Sequence, residues 1–163
     1  MFESNEKIQT MAKQVVTIFI EKGLTLSTAE SCTGGGVAAA ITTIPGSSQM
    51  FKGAVVAYSN EIKSDVLNVD SVLLDKFGAV SEETVLAMAR GVRKLMKTDV
   101  SISTSGIAGP TGATQGKPIG LVYFSVSDDL GSEFDKMVFE GSRKNVQKGS
   151  VLFVLCLLID KYS

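Results

Sequence analysis

The sequence predicts an α/β protein in which a mixed, mostly parallel sheet is covered by helices on both faces, a three-layer α/β/α arrangement. Segments with helical periodicity alternate with short apolar segments, and the glycines at 34–36 separate a strand pattern from a helix pattern. The segment 51–58 is largely apolar, as in strands covered on both faces. With 163 residues and no repeat or linker, residues 1–163 are expected to form one domain.

The first half of the chain predicts a helix followed by two strand–helix units. Apolar residues at three- and four-residue steps indicate an amphipathic helix from about residue 5 to Lys22, and Gly23 ends it. The next predicted elements are a strand at 24–28, a helix at 37–44, a strand at 51–58 and helical segments at about 60–68 and 71–77.

The second half begins with a helix capped by Ser81 that runs to Met96. The Gly/Pro-rich loop 106–118 is long for a compact domain, and such loops are usually functional. The remaining predicted elements are a strand at 100–105, two antiparallel neighbouring strands at 119–127 and 134–139, and a last helix from the cap Ser142 to about Tyr162.

The net charge and the length of the apolar runs limit the classes of partner that we expect for this protein. Sixteen Lys and Arg against 17 Asp and Glu give a net charge of −1, and no basic run is present that could follow a phosphate backbone, so we expect no nucleic-acid partner. The longest apolar run, 151–159, is shorter than the roughly 20 residues of a membrane helix and predicts a buried core helix. The first ten residues lack a secretory pattern, so a cytoplasmic protein without a membrane segment is expected.

The sequence contains no histidine. This excludes Ser-His-Asp and Cys-His nucleophilic sites, histidine-based zinc hydrolases and imidazole acid–base chemistry. Cys32 and Cys156 are too few for a disulfide framework or a zinc cluster, and both are expected to be reduced. Proton transfer must therefore use lysine, tyrosine, carboxylate, thiol or water, and we expect neither a metal nor a cofactor.

The segment TAESCTGGG at 28–36 places reactive side chains before a glycine-rich turn. A hydroxyl followed by glycines at a helix N-terminus lies near unpaired backbone N–H groups, which is the layout of an oxyanion hole. Ser31 and Thr33 both meet this condition, with Gly34 and Gly35 forming the turn.

A serine nucleophile needs a base at neutral pH, and without histidine the candidates are a buried lysine or a tyrosinate. Tyr58 and Lys63 follow the strand predicted at 51–58. In a parallel sheet that strand ends at the same edge as Ser31, and desolvation can lower a lysine pKa to about 7 to 8. The alternative is that Lys63 is a solvated helix lysine and Tyr58 an aromatic side chain at a strand end.

Two neighbours of Ser31 also have alternative roles. Glu30 is a candidate acid catalyst, but a glutamate in such a place more often caps a helix or anchors a loop. Cys32 is a candidate nucleophile, whereas a small thiol packed beneath a turn is the commoner role.

Other patterns are typical of nucleotide or phosphate binding. Residues 34–39 match G-x-G-x-x-A at a helix start, but the acidic residue that a dinucleotide fold requires about 20 positions later is missing. The loop ending Gly116-Lys117 fails the Walker A spacing, with Thr111 where glycine is needed. Candidate phosphate ligands are Gly46, Ser47, Ser48, Thr104, Ser105, Gly106 and Arg143.

Five motifs occur in order: TAESCTGG at 28–35, PGSS at 45–48, GAVVAYSNEIK at 53–63, FGAVS at 77–81, and SGIAGPTG with GKPIG within 105–120. As a set they resemble the CinA C-terminal family, whose members include nicotinamide-nucleotide amidases. The resemblance extends from about residue 5 to the C-terminus.

The resemblance implies an α/β/α domain that forms a homodimer or higher homo-oligomer. It also implies metal-free hydrolysis of the carboxamide of nicotinamide mononucleotide to nicotinate mononucleotide and ammonia. Ser31 would be the nucleophile, with Lys63 and Tyr58 as its activating partners. The resemblance places Gly46, Ser48, Thr104 or Ser105, and Arg143 around the nucleotide. Together with the candidates from the glycine turn and the end of the strand at 100–105, the expected substrate-binding residues are Thr33, Gly34, Gly35, Gly46, Ser48, Thr104, Ser105, Gly106 and Arg143.

The sequence departs from this family before the last helix, where the family commonly has Gly-Asp-Arg and a further arginine four positions on. Ser142 and Gln147 stand in place of that aspartate and that second arginine. The change bears on affinity for the phosphate end of the substrate. The alternative function is a nucleotide-binding or partner domain of the same fold with weak or no catalysis.

Overall fold

The computed structural model describes residues 2–163, with side chains from Asn5 onward. The helices are α1 (Phe2–Lys22), α2 (Gly36–Thr42), α3 (Asn60–Asp65), α4 (Ser71–Phe77), α5 (Glu82–Met96) and α6 (Arg143–Tyr162), and a short 3-10 turn covers Ser47–Gln49. The strands are β1 (Leu26–Glu30), β2 (Phe51–Val56), β3 (Val100–Gly106), β4 (Leu121–Ser127) and β5 (Ser132–Val138).

The five strands form one sheet in the order β2-β1-β3-β4-β5. β1 pairs in parallel with β2 and with β3, whereas β4 pairs antiparallel with both β3 and β5. Of the strands described, β4 alone is reversed, so the predicted mixed, mostly parallel sheet is confirmed. The carboxyl ends of β1, β2 and β3 consequently meet at one edge, which we call the C-terminal edge.

Helices cover both faces of the sheet. α1, α2 and α6 pack on one face, around a core that contains Phe19, Phe124 and Leu155. α5 packs on the other face, where Met88 and Val92 contact a smaller apolar cluster that the α3–α4 region completes. Each such buried side chain contributes about 1.5–3 kcal/mol to folding. The predicted three-layer α/β/α arrangement is confirmed.

The apolar run 151–159 forms the middle of α6. Val151, Val154, Leu155 and Leu158 are buried against α1 and the sheet, so the predicted core helix is confirmed. Within residues 2–163, no helix combines the length and the apolar character needed to cross a bilayer.

Strand ends and exposure differ from the prediction. β1 begins at Leu26 rather than at residue 24, because the N–H and hydroxyl of Thr25 donate to the Asp99 carboxylate at 2.8 and 2.6 Å. The sequence predicts that β2 is covered on both faces, but it is one of the two edge strands of the sheet and Val56 is 47% exposed. The caps Ser81 and Ser142 are confirmed, since their hydroxyls accept from backbone N–H groups three residues on.

Candidate active site

Ser31 lies at the C-terminal edge, immediately after β1. Its N–H donates to the Thr104 carbonyl of β3 at 3.0 Å, and its own carbonyl accepts from the Gly34 N–H at 3.0 Å. The turn continues through Gly34 and Gly35 with φ of 61° and 90°, a left-handed conformation that favours glycine. The serine side chain is thereby fixed to the sheet at the start of a tight turn, as the sequence predicts.

The side-chain amine of Lys63, a residue of α3, contacts the hydroxyl of this serine. Its Nζ lies 3.2 Å from Ser31 Oγ, 2.7 Å from the Ala57 carbonyl and 3.4 Å from the Tyr58 carbonyl. α3, which carries Lys63, is capped by the Ser59 hydroxyl. The lysine is 1% exposed, and this burial lowers its pKa to about 8 because the charged form loses its hydration.

The two carbonyls orient the amine. A neutral lysine amine has two N–H donors and one lone pair. When the donors go to the carbonyls of Ala57 and Tyr58, the lone pair is left for the Ser31 hydroxyl. The arrangement can therefore remove a proton from Ser31 whenever Lys63 is uncharged.

The Glu30 carboxylate is bonded to the turn that follows Ser31 and to the N-terminus of α2. Glu30 is fully buried, and its carboxylate accepts from the Thr28 and Thr33 hydroxyls (3.2 and 2.7 Å) and from the N–H groups of Val37 and Ala38 (3.0 and 2.8 Å). Of the two roles considered, the geometry favours the anchor. The carboxylate also occupies the N-terminus of α2, where a dinucleotide pyrophosphate would bind, so the dinucleotide alternative is not supported.

Four predicted binding residues, Thr33, Thr104, Ser105 and Gly106, lie beside Ser31 with structural contacts of their own. The Thr33 hydroxyl is also 2.8 Å from that of Thr104, and Ser105 donates to the Ala79 carbonyl at 2.6 Å. At Gly106 a Cβ would come within 2.6 Å of the Leu121 carbonyl, so this position has room for glycine alone. These residues bring β1, β3 and the segment before α5 together at the site.

Tyr58 and Arg143 form a pair at the cavity mouth. Arg143, the first residue of α6, donates from Nη2 to the Tyr58 hydroxyl at 2.6 Å and from Nη1 to the Gly109 carbonyl at 2.9 Å. Tyr58 is 60% exposed, and it is its main-chain carbonyl that contacts Lys63. Gln147 donates its amide N–H to the Cys32 carbonyl at 3.0 Å.

Ser31, Lys63 and the Tyr58–Arg143 pair line a cavity of about 220 Å³. Ligand pockets are typically about 300–1,000 Å³, so this cavity can hold part of a small ligand rather than a whole one. Burial raises the pKa of the Cys32 thiol to about 12, so it is a poor nucleophile at neutral pH. The lining residues are Ser31, Cys32, Tyr58, Lys63, Ala79, Val80, Ser105, Gly106, Ala108 and Arg143.

Backbone donors for an oxyanion are present in the turn. Within the described residues, the N–H groups of Cys32 and Thr33 donate no hydrogen bond to another residue. The N–H group after a nucleophilic serine is the usual first member of an oxyanion hole. The sequence predicts such donors in the glycine turn, and by the same criterion the Gly35 N–H is free as well, whereas those of Gly34 and Gly36 are bonded within the turn.

Within one chain, Gly46 and Ser48 do not lie with the residues that line the Ser31 cavity. α2 returns to the opposite edge of the sheet, where the Met50 carbonyl accepts from the Leu26 N–H at the start of β1. Ser31 follows the other end of that strand, roughly 15 Å away at about 3.3 Å per residue. The site residues that sequence reasoning missed are Ala57, which contacts Lys63, and the lining residues Ala79, Val80 and Ala108. Each lies within one of the five motifs, which was the available signal.

The fold and the site define a class: a three-layer α/β/α domain with a buried serine–lysine pair at the C-terminal edge of its parallel strands. Residues 8–162 match the family model described as "CinA C-terminal domain". The chain therefore belongs to the CinA C-terminal domain family. Among the side chains described, those of residues 5–163, no cluster of three Cys, Asp or Glu could hold a metal ion.

Relatives and solved structures agree with this assignment. A CinA-like protein of Endomicrobium trichonymphae is 50% identical over 149 residues, which are 91% of this chain and 35% of that protein. The chain thus spans about a third of the length of such curated relatives. A competence/damage inducible protein, CihA, from Agrobacterium tumefaciens has 37% identity, a TM-score of 0.92 and 94% coverage of both chains. A CinA superfamily protein from Klebsiella pneumoniae has 35% identity, the same TM-score and coverage of 95% and 97%.

Proposed function

We propose that this protein hydrolyses the carboxamide of nicotinamide mononucleotide to nicotinate mononucleotide and ammonia, with Ser31 as nucleophile and no metal. The 3.2 Å contact between Lys63 Nζ and Ser31 Oγ carries the reaction class. Family resemblance supports the choice of substrate, which would be a small-molecule partner of this chain.

The reaction begins when uncharged Lys63 takes the Ser31 proton and Oγ attacks the amide carbon. The resulting oxyanion accepts hydrogen bonds from the N–H groups of Cys32 and Thr33. The Lys63 ammonium then protonates the amide nitrogen, the C–N bond breaks and ammonia leaves, so that the acyl group is esterified to Ser31. Lys63 next takes a proton from water, which attacks this ester, and Ser31 recovers its proton as nicotinate is released.

The first test is ammonia release from nicotinamide mononucleotide by the purified protein, with and without EDTA. Ammonia and nicotinate mononucleotide should form in equal amounts, and EDTA should have no effect. Nicotinamide riboside, which lacks the phosphate, is the matched control and should react more slowly. Ammonia release that stops with EDTA would contradict the metal-free mechanism.

The second test is the pH profile of kcat/KM, which reports groups of the free enzyme. Lys63 has a pKa of about 8 and acts when uncharged, so kcat/KM should rise about tenfold per pH unit below pH 8 and level off above it. The measurement is ammonia release between pH 6 and pH 10. A flat profile between pH 6 and pH 8 would exclude Lys63 as the base.

A catalytically silent nucleotide-binding domain is the second candidate. The observation that favours it is the Gln147 side chain, which is bonded to the Cys32 carbonyl at a position where the family commonly has an arginine. Mononucleotide binding by calorimetry without ammonia release at any pH would favour this candidate.

A further inference from the structure

A second pocket, of about 400 Å³, lies at the edge of the sheet opposite Ser31. Its lining residues are Arg90, Arg93, Lys94, Thr98 and Ser127, and we call it the α5 pocket. Ser127 pairs with Ser101 on β3, four residues before Ser105 of the active-site cavity. At about 3.3 Å per residue the two sites are some 13 Å apart along the strand.

The cations of this pocket share one face of α5. Arg93 and Lys94 lie three and four residues after Arg90, so each of them is a neighbour of Arg90 on the helix surface. In the described part of the chain, both ion pairs involve Lys161, and no carboxylate lies within salt-bridge distance of Arg90, Arg93 or Lys94. Like charges placed together in this way repel each other unless an anion joins them.

Arg93 makes no hydrogen bond through its two Nη groups to any other described residue. Its Nε donates to the Asp99 main-chain carbonyl at 2.9 Å. The Asp99 carboxylate accepts from the Thr25 N–H and hydroxyl and lies outside salt-bridge distance of Arg93, although the Arg93 charge helps, after these bonds, to lower the Asp99 pKa. The two Nη groups of a guanidinium anchored in this way form the planar fork that binds phosphate oxygens in pairs.

Two buried hydroxyls complete the lining. Ser127 is 3% exposed, and its Oγ accepts from the Ser132 hydroxyl at 2.9 Å, which leaves the Ser127 proton for another acceptor. The Thr98 hydroxyl is shared with that of Ser27 at 2.7 Å. Cations above buried hydroxyl groups are the donor set that a tetrahedral oxyanion needs.

We propose that the α5 pocket binds the phosphate group of a small anionic molecule, at a site separate from the Ser31 cavity. A recess with hydroxyls in its lining favours a compact anion over a flat macromolecular surface. The net charge of −1 and the lack of basic runs likewise disfavour a nucleic acid. The proposal does not depend on catalysis at Ser31.

The test is calorimetric titration of the 163-residue protein with inorganic phosphate and, separately, with AMP, against sodium chloride of equal ionic strength. An Arg143→Gln background removes the guanidinium at the mouth of the active-site cavity and leaves Lys63 as its cation. In that background one phosphate site should remain. Equal affinities for the two probes would identify the phosphate group as the whole ligand, and tighter AMP binding would identify a phosphomonoester.

The variant that tests the pocket is Arg90→Gln with Lys94→Gln, which should weaken phosphate binding about tenfold or more. Lys13→Gln with Lys22→Gln makes the same change in net charge on α1, which packs on the other face of the sheet and does not line the pocket, and this variant should bind as the background does. Circular dichroism checks that the folds agree. The proposal is overturned if neither probe binds, if the Arg90/Lys94 variant binds unchanged, or if Arg143→Gln alone removes all binding.

Discussion

A Lys63→Met variant is expected to lose about 10³-fold or more of its ammonia release and yet to be more stable than the wild type. Methionine matches the length and bulk of the lysine side chain but has no lone pair for the Ser31 proton. Ser31→Ala should lose as much activity. Because the two residues act as a unit, the double variant should be no worse than either single variant.

The gain in stability follows from the burial of Lys63. Its pKa is about 8 in the folded protein and 10.5 ordinarily, so below pH 8 the fold holds a desolvated charge. As pH rises from 8 to 10.5 the native state loses this proton before the unfolded state does, and the free energy of unfolding should rise by about 3 kcal/mol.

Urea unfolding of wild type and Lys63→Met at pH 7, 9 and 10.5 measures this difference. The wild-type free energy of unfolding should climb towards that of the variant, whose own value should lack this contribution. Lys136→Met, at an exposed position on β5, is the control and should leave both activity and the pH dependence of stability unchanged. The same pH dependence in wild type and Lys63→Met would contradict the buried-amine account.

A Glu30→Ala variant is expected to lose both activity and stability. The Glu30 carboxylate accepts from two hydroxyls and two backbone N–H groups in a fully buried place, and alanine would leave these donors without an acceptor. The expected loss is about 3–5 kcal/mol of unfolding free energy. For a chain of this size that is a fall in Tm on the order of 10 °C.

Thermal unfolding followed by circular dichroism measures this effect. Glu30→Gln keeps the shape but turns an N–H₂ group towards N–H donors, so it should fall between wild type and Glu30→Ala. Glu140→Ala, at an exposed position, is the matched control and should change Tm little. A Glu30→Ala protein as stable as the wild type would show that the carboxylate does not organise the Ser31 turn.

Much of the fold could be predicted because local signals agree with the tertiary structure. Gly23 ends α1 and Ser81 caps α5, and both signals lie within a few residues of the element that they limit. The start of β1 could not be predicted, because Thr25 is bonded to Asp99, which is 74 positions away. The exposure of β2 depends on strand order, which no local pattern contains.

For the candidate site, the sequence predicts the meeting of Ser31 and Lys63 because parallel strands end at a common edge. The direction in which each side chain points could not be predicted from the sequence. The Tyr58 hydroxyl is bonded to Arg143, 85 positions away, while its carbonyl contacts Lys63. The separation of Ser48 from the Ser31 cavity could not be predicted either, since it depends on how far α2 returns across the sheet.

If the proposed amide hydrolysis takes place at Ser31, the shape of the Ser31 cavity limits which amides can enter. Ser31 is 8% exposed and lines a space of about 220 Å³ whose mouth holds Tyr58 and Arg143. A peptide bond within a polypeptide has chain on both sides and needs an open cleft, whereas a terminal carboxamide can enter by one end. For the proposed reaction, the geometry therefore favours small compounds with an unhindered amide over the polypeptide substrates of proteases that use serine and lysine.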